Sequence, residues 1–296
     1  MKILEVIQKS TDFLAKKGVE SPRLQVELML AHLLNMPRMR LYLSFEQALT
    51  QTQVETLRGF VQRRGNREPL QHILGITSFC GLDMIVNKNV LVPRPETELL
   101  AERAWKFLFG KAAAREEAGA AAAALSALDF GVGSGCIAVA LAVHAPAARV
   151  CGVDVSAEAL AVARENAARH KAQIEFLQGN GFAALPQGAR FDLIVSNPPY
   201  ISRAEIETLE PEVRDHEPRG ALDGGEDGLD FYRMFAREAA GFLAPGGRLM
   251  AEFGDGQARE IQGIFERQNW VVEAVEADNT QRPRLLIARH GSSDAA

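Results

Sequence analysis

The chain has 296 residues, 47% hydrophobic and 24% charged, with a formal net charge of −5. That length exceeds one small domain, and the apolar content excludes disorder as the default state. The acidic balance excludes a protein that is basic throughout and coats nucleic acid. Three cysteines, Cys80, Cys136 and Cys151, form no CxxC pair. This argues against a disulfide framework or a cysteine-built zinc site, so no metal is expected, and it points to a reducing, cytoplasmic setting. Lys2, Glu5, Lys9, Asp12, Lys16 and Lys17 leave no room for the apolar core of a signal peptide. No uncharged apolar run reaches membrane-spanning length.

Residues 1–70 read as a helical domain. Ile3, Val6 and Ile7 share a face, with Phe13 and Leu14 further along. Ser21-Pro22 predicts a helix start with a hydroxyl cap, followed by an apolar stripe of Leu24, Leu28, Ala31 and Leu34. Thr50 with Gln53 is a capping-box pattern ahead of Val54, Leu57 and Val61. This segment holds eleven Lys or Arg against seven Asp or Glu, a surplus of +4 that leaves −9 for the rest. Arg58, Arg63, Arg64 and Arg67 are its densest basic group, read either as a solvated helix face or as a docking surface for a large anionic partner.

Residues 71–92 switch to period two, with Leu82, Met84 and Val86 alternating with Asp83, Ile85 and Asn87. This predicts a β-hairpin linker. Pro93-Arg94-Pro95 then punctuates, and a helix follows from Glu96. Nine alanines among residues 112–124 suggest a helix extension or a surface linker. Across residues 93–296, short apolar runs alternate with amphipathic stretches. Strands are expected at Ala127–Phe130, Arg149–Val153, Ile174–Leu177, Phe191–Val195, Leu249–Phe253, Val271–Val275 and Leu285–Ala288. The pattern is that of an α/β, mostly parallel, doubly wound sheet, whose ligands bind at the carboxyl ends of the strands.

Two motifs fall at those ends. Asp129-Phe130-Gly131-Val132-Gly133-Ser134-Gly135 follows the first of these strands, and the next ends at Asp154, placed to accept from ribose hydroxyls. A glycine turn with a ribose acid suits a dinucleotide dehydrogenase nearly as well as an S-adenosylmethionine enzyme, since Gly133, Gly135 and Ala138 satisfy G-x-G-x-x-A. The register, with an acid two residues before the first glycine, resembles the first motif of class I methyltransferases. The fourth of these strands ends in Ser196-Asn197-Pro198-Pro199-Tyr200. Two prolines fix the backbone and remove two donors while keeping their carbonyls, and Asn197 adds a side-chain acceptor. Together they can receive both hydrogens of a planar –NH2 group, whose delocalised lone pair is otherwise poorly nucleophilic. Such a site works by positioning and electrostatics, needs no strong general base, and lets Tyr200 pack against the substrate.

With these motifs in place, the chain resembles the HemK/PrmC glutamine methyltransferases. The resemblance rests on Arg64-Gly65-Asn66-Arg67-Glu68-Pro69-Leu70, on Gly75 with Phe79, and on Leu91-Val92-Pro93-Arg94-Pro95-Glu96-Thr97-Glu98. It continues through the glycine loop, Asp154, Asn197–Tyr200, Glu212-Val213-Arg214, Glu217-Pro218 and Ala221-Leu222-Asp223-Gly224-Gly225. It implies a helical N-terminal domain (1–70) that recognises the substrate, a hairpin linker (71–92) and a Rossmann-like class I methyltransferase domain (93–296). The implied reaction is S-adenosyl-L-methionine-dependent methylation of the side-chain amide of the glutamine in the Gly-Gly-Gln motif of peptide chain release factors. The implied enzyme is a cytoplasmic monomer that needs no nucleic acid and no membrane. Gly131, Val132, Gly133, Ser134 and Gly135 would line the methionine side, Asp154 the ribose, and Asn180 and Gly181 the adenine. Asn197 would touch cofactor and substrate, and Pro198, Pro199 and Tyr200 would hold the glutamine amide.

Asn180-Gly181-Phe182 departs from the acidic and large residues usual beside the adenine. Asn180 can still accept from the adenine amine, and Phe182 or a neighbour is expected to replace the missing packing surface. Alternatives kept open are a ribosomal-protein glutamine methyltransferase, a nucleic-acid adenine methyltransferase, and a dehydrogenase or nucleoside-binding module. The loop with Asp223, Glu226, Asp227 and Asp230 lacks EF-hand spacing and is expected to border the substrate cleft.

Overall fold

The computed structural model describes residues 1–117 and 124–291. The described chain divides into two compact units, Met1–Ile76 with Glu210–His216, and Thr77–Leu209 with Glu217–Ala296.

The first unit is helical, with α1 (Ile3–Lys16), α2 (Pro22–Leu33), α3 (Arg38–Leu41), α4 (Gln51–Gly65) and α5 (Leu70–Leu74). The capping box at Thr50 forms as its sequence predicts: Gln53 N donates to Thr50 Oγ1 at 3.2 Å, and Thr50 N donates to Gln53 Oε1 at 2.9 Å. Ser21 does not cap α2. It sits in the left-handed region at φ 46° with no side-chain cap bond, and Pro22 alone sets the start of the helix. The buried stripe of α2 is also rotated from the expected one. Val26, Met29, Leu30 and Ala31 are buried, while Leu24 is exposed. Glu27 shares that buried face, only 1% exposed, because Arg23, Arg38 and Tyr42 all donate to its carboxylate.

In the basic cluster on and just after α4, Arg64 and Arg67 turn inward on this unit's own acids. Arg64, 4% exposed, donates to Glu212 at 2.6 Å, and Arg67 donates to both oxygens of Glu212 at 2.7 and 2.6 Å. Arg63 pairs with Glu68. Arg58 and Arg63 are both exposed, Arg63 with its charge held by Glu68. The short helix α10 (Pro211–Arg214), which follows α9 (Arg203–Ile206), therefore belongs to the helical unit.

The second unit opens with a hairpin of β1 (Ile76–Phe79, whose first residue is counted with the helical unit) and β2 (Leu82–Ile85), followed by α6 (Pro95–Glu117). The alanine run continues α6 as far as Glu117; its part from 118 to 123 lies outside the described residues. The sheet comprises β3 (Ser126–Phe130), β4 (Arg149–Asp154), β5 (Ile174–Gln178), β6 (Phe191–Ser196), β7 (Leu243–Glu252), β8 (Trp270–Ala277) and β9 (Pro283–His290). Their order is β5-β4-β3-β6-β7-β9-β8, parallel from β5 to β7 and antiparallel at β9 and β8. Helices α7 (Cys136–His144), α8 (Ala157–Arg169), α11 (Asp230–Glu238) and α12 (Ala258–Glu266) complete the unit. Two apolar clusters carry the core, one centred on Leu193, Val195, Ile137 and Leu141, the other on Phe130, Phe235, Phe253 and Phe265. Chain order reverses between β3 and β6, which puts the switch point, and its ligand crevice, at the carboxyl ends of those two strands. All three cysteines are free, and no described helix is long and apolar enough to cross a membrane.

Candidate active site

At the end of β3 the chain turns through Gly131–Gly135 into α7. Gly131 N and Val132 N both donate to the Val153 carbonyl of β4, at 2.9 and 3.0 Å. Gly131 adopts φ 76°, a conformation that disfavours a side chain, and no atom lies within 4 Å of where a Cβ would stand. The space beside it is open cavity, not packing. Asp154 fastens the turn: its Oδ2 accepts from Gly133 N at 2.8 Å and its Oδ1 from Ser156 N at 2.9 Å. Each oxygen keeps a further lone pair. Asn166 of α8, fully buried, donates to the Ser134 carbonyl at 2.9 Å and exchanges two hydrogen bonds with Ile85 of the hairpin, which ties β2 to the glycine turn. Beneath the turn, Asp129 is buried and Oδ2 accepts from Ala138 N, while Oδ1 has no hydrogen-bond partner. Burial pushes its carboxyl up to about 7, with the Ala138 amide opposing and the charge of Asp154 adding to the rise.

The end of β6 is locked to the end of β3 by Ser196 Oγ, which donates to the Phe130 carbonyl at 2.6 Å. Asn197 follows, and its Nδ2 donates to Thr97 Oγ1 at 3.0 Å. Thr97, in the first turn of α6, donates to Glu252 Oε2 at 2.6 Å. Tyr200 Oη reaches Glu252 Oε1 at 3.3 Å, and Gln257 Nε2 holds the Tyr200 carbonyl at 2.9 Å. Burial pushes the Glu252 carboxyl up to about 7, against the Thr97 and Tyr200 hydrogen bonds that favour its charged form.

A cavity of about 270 Å³ joins these pieces. Gly131, Val132, Gly133, Ser134, Asp154, Asn180, Gly181, Asn197 and Pro199 line it, together with Thr97 and Arg94. Gly135, Pro198 and Tyr200 are not among its lining. Gly135 opens α7 at φ 80°, Pro198 is buried, and Tyr200 packs beside the second core cluster. Phe182 is not beside the cavity either. It is 4% exposed and packs on Phe130 and Phe242 in the core. Phe231 and Met234 of α11 line the cavity and add apolar surface to it. Gly181 has its own reason to lack a side chain, since a Cβ there would lie 2.7 Å from the Phe130 ring.

The other quoted motifs meet here as well. Glu217 accepts from Arg94 Nη2 at 2.6 Å and from Val92 N at 3.4 Å, which joins the Val-Pro-Arg-Pro run to the Glu-Pro run. Gly220 and Ala221 line the cavity, so the segment leading into the Asp223 loop borders it. Asp223 and Asp227 of that loop pair with Arg203 and Arg233. Among the described residues no cluster of His, Cys, Asp or Glu could hold a metal ion. Reading the sequence alone missed Glu252, Asn166, Phe231 and Met234. Glu252 carried a usable signal, as an acid closing the apolar run Leu249-Met250-Ala251 at the carboxyl end of a core strand. The others depend on contacts between distant segments.

A model of the PrmC N-terminal domain matches residues 5–75, and a model of the methyltransferase small domain matches residues 118–210. The release factor glutamine methyltransferase of Geobacter sulfurreducens is 48% identical over 90% of this chain and 88% of its own length. That of Caulobacter vibrioides is 42% identical over 93% and 92%, and that of Chlorobaculum tepidum 40% over 89% of each. The chain belongs to the release factor glutamine methyltransferase family. Membership bears out the resemblance carried by the glycine turn, the Asn197 segment and the Val-Pro-Arg-Pro-Glu-Thr-Glu run. The chain is a methyltransferase, and its sheet with flanking helices is the class I α/β fold expected for it.

Proposed function

We propose that this enzyme transfers a methyl group from S-adenosyl-L-methionine to the side-chain amide nitrogen of the glutamine in the Gly-Gly-Gln motif of peptide chain release factors. The observation that carries this reading is the Asn197 carboxamide, whose nitrogen is committed to Thr97 while the residue lines a cavity shared with the glycine turn and Asp154. The names of the relatives support the choice of substrate. The chain's own residues fit the methyl donor: an open glycine cradle at Gly131 and Gly133, a carboxylate with spare lone pairs at Asp154, and an acceptor at Asn180 in a cavity that the apolar Phe231 and Met234 also line. When bound, S-adenosylmethionine supplies a methyl carbon made electrophilic by its sulfonium.

Asn197 Oδ1 and the Pro198 carbonyl accept the two N–H bonds of the glutamine amide and aim its nitrogen at that carbon. That nitrogen would take the methyl group from the bound donor, which would leave as the neutral thioether, and the alkylated nitrogen, made acidic, would release its proton to solvent. Asn197, Pro198 and Tyr200 are the residues assigned to this step, with Pro199 shaping the wall. The work is positioning and electrostatic, and no strong base is required. The enzyme acts in the cytoplasm as a monomer, with neither nucleic acid nor membrane taking part.

The test is incubation with labelled S-adenosylmethionine and a release factor, alongside the same factor with its loop glutamine replaced. Label is expected on the first only; equal labelling of both would overturn the assignment.

A further inference from the structure

We propose that Thr97 and Glu252 are positioning residues that fix which way round the Asn197 carboxamide sits, so that its oxygen and not its nitrogen faces the substrate. The inference rests on the reading of Asn197 as an acceptor for the glutamine amide. An asparagine amide is nearly symmetric in shape, and its oxygen and nitrogen ends differ only in what they hydrogen-bond. An acceptor is needed on the substrate side, so a flipped amide would point two hydrogens at the N–H bonds it should receive.

Three elements combine to prevent the flip. Thr97 Oγ1 has a single hydrogen, and the Glu252 Oε2 atom 2.6 Å away takes it. Only lone pairs remain on the threonine oxygen toward Asn197, 3.0 Å from Nδ2. Turning the amide over would set two acceptors against each other in a dry site, since Thr97 and Glu252 are each only 2% exposed. Glu252 is itself immobilised: Tyr200 Oη reaches its Oε1, and Tyr232 Oη donates to its backbone carbonyl at 2.7 Å. Protonation at Oε1 would leave Oε2 an acceptor and the relay intact. Thr97 comes from the first turn of α6, Glu252 from the end of β7 and Asn197 from the end of β6, so the relay also registers three separate elements at the reacting centre.

The experiment compares Thr97→Val, Thr97→Ser and Asn197→Ala in steady-state methylation of a release factor. Affinity for S-adenosylhomocysteine is measured by calorimetry in parallel. Thr97→Val keeps the shape but loses the hydroxyl; it is expected to lower kcat by about 100-fold, the scale of a small misplacement at the reacting atoms, with KM and cofactor affinity changed by less than about three-fold. Thr97→Ser restores the hydroxyl and is expected to recover most of that loss. Glu252→Leu should reproduce the Thr97→Val defect, and Glu252→Gln, which still offers an oxygen, should recover it in part. If Thr97→Val turns over within about three-fold of the parent while Asn197→Ala is inactive, the relay is refuted and the role of Asn197 stands. Equal damage from Thr97→Ser and Thr97→Val would also refute the relay, because packing would then explain both. Near-normal turnover by Asn197→Ala would instead bring down the function proposed for that residue.

Discussion

The attachment of the Glu210–His216 segment to the helical unit hangs on one carboxylate. Burial alone would raise the Glu212 pKa, but the hydrogen bonds from Arg67 and Arg64 outweigh it and hold the group at about 2, down from 4.5. Replacing it by glutamine keeps the shape and removes the charge. The shift corresponds to about 3 kcal/mol of stability near neutral pH, at roughly 1.4 kcal/mol per pH unit. Because the folded pKa is depressed, that contribution is complete above the unfolded value near 4.5 and drains away as pH falls toward about 2. Urea unfolding followed by far-ultraviolet circular dichroism, at about pH 7 and again at about pH 3, reads both limits. Glu212→Gln should lose about 3 kcal/mol at the first and about 1 kcal/mol at the second. A loss below roughly 0.5 kcal/mol at neutral pH would show the triad to be no better than a surface pair and would refute the reasoning.

Other expectations concern the methyltransferase unit. Asp154→Ala should weaken S-adenosylhomocysteine binding by roughly 10- to 100-fold, since it removes a proposed ribose acceptor and frees the Gly133 amide; an unchanged Kd in calorimetry would contradict that role. Glu252 has its pKa raised by burial from 4.5 to about 7, with Glu96 adding to the rise and Arg284 opposing it. The sign is therefore opposite to that of Glu212. The unfolded state gives up its proton first, and stability falls by about 3 kcal/mol as pH climbs through that window. Glu252→Gln should flatten this fall in denaturation curves taken between about pH 4.5 and pH 8, and an unaltered slope would count against the buried-carboxyl assignment. Gly181→Ala would place a methyl 2.7 Å from the Phe130 ring at φ 56°, and is expected to cost about 1–3 kcal/mol and to weaken cofactor binding; a neutral melting temperature would refute the close approach.

The parts of the fold legible in the sequence are those set by local pattern. Every sheet strand is visible as a short apolar run; the central β3 and β6, buried on both faces, need no partner information to be seen. The capping box at Thr50 and the start at Pro22 were equally local. What failed was anything decided by a distant partner. The α2 stripe rotated because Glu27 was drawn inward by Arg38 and Tyr42, residues beyond the helix. Arg64 and Arg67 resembled part of a free basic face because Glu212, more than 140 positions away, was invisible to local spacing. β7 begins at Leu243 rather than Leu249, because Leu243 pairs with Phe191 across a register shift that a glycine-rich stretch conceals. At the site, the glycine turn, Asp154, Asn180, Gly181 and Asn197 converge on one cavity, whereas Phe182 faces the core, and Phe231 and Met234 are among the residues that line the cavity in its place. That α11 contributes side chains to this cavity could not be read from spacing alone.

A crystal structure with S-adenosylhomocysteine and a Gly-Gly-Gln peptide bears most directly on the central claim. The account requires the glutamine nitrogen within hydrogen-bond distance of Asn197 Oδ1 and the Pro198 carbonyl, directed at the cofactor sulfur. A glutamine nitrogen turned away from that sulfur, or an Asn197 amide donating to the peptide in place of accepting from it, would contradict the account.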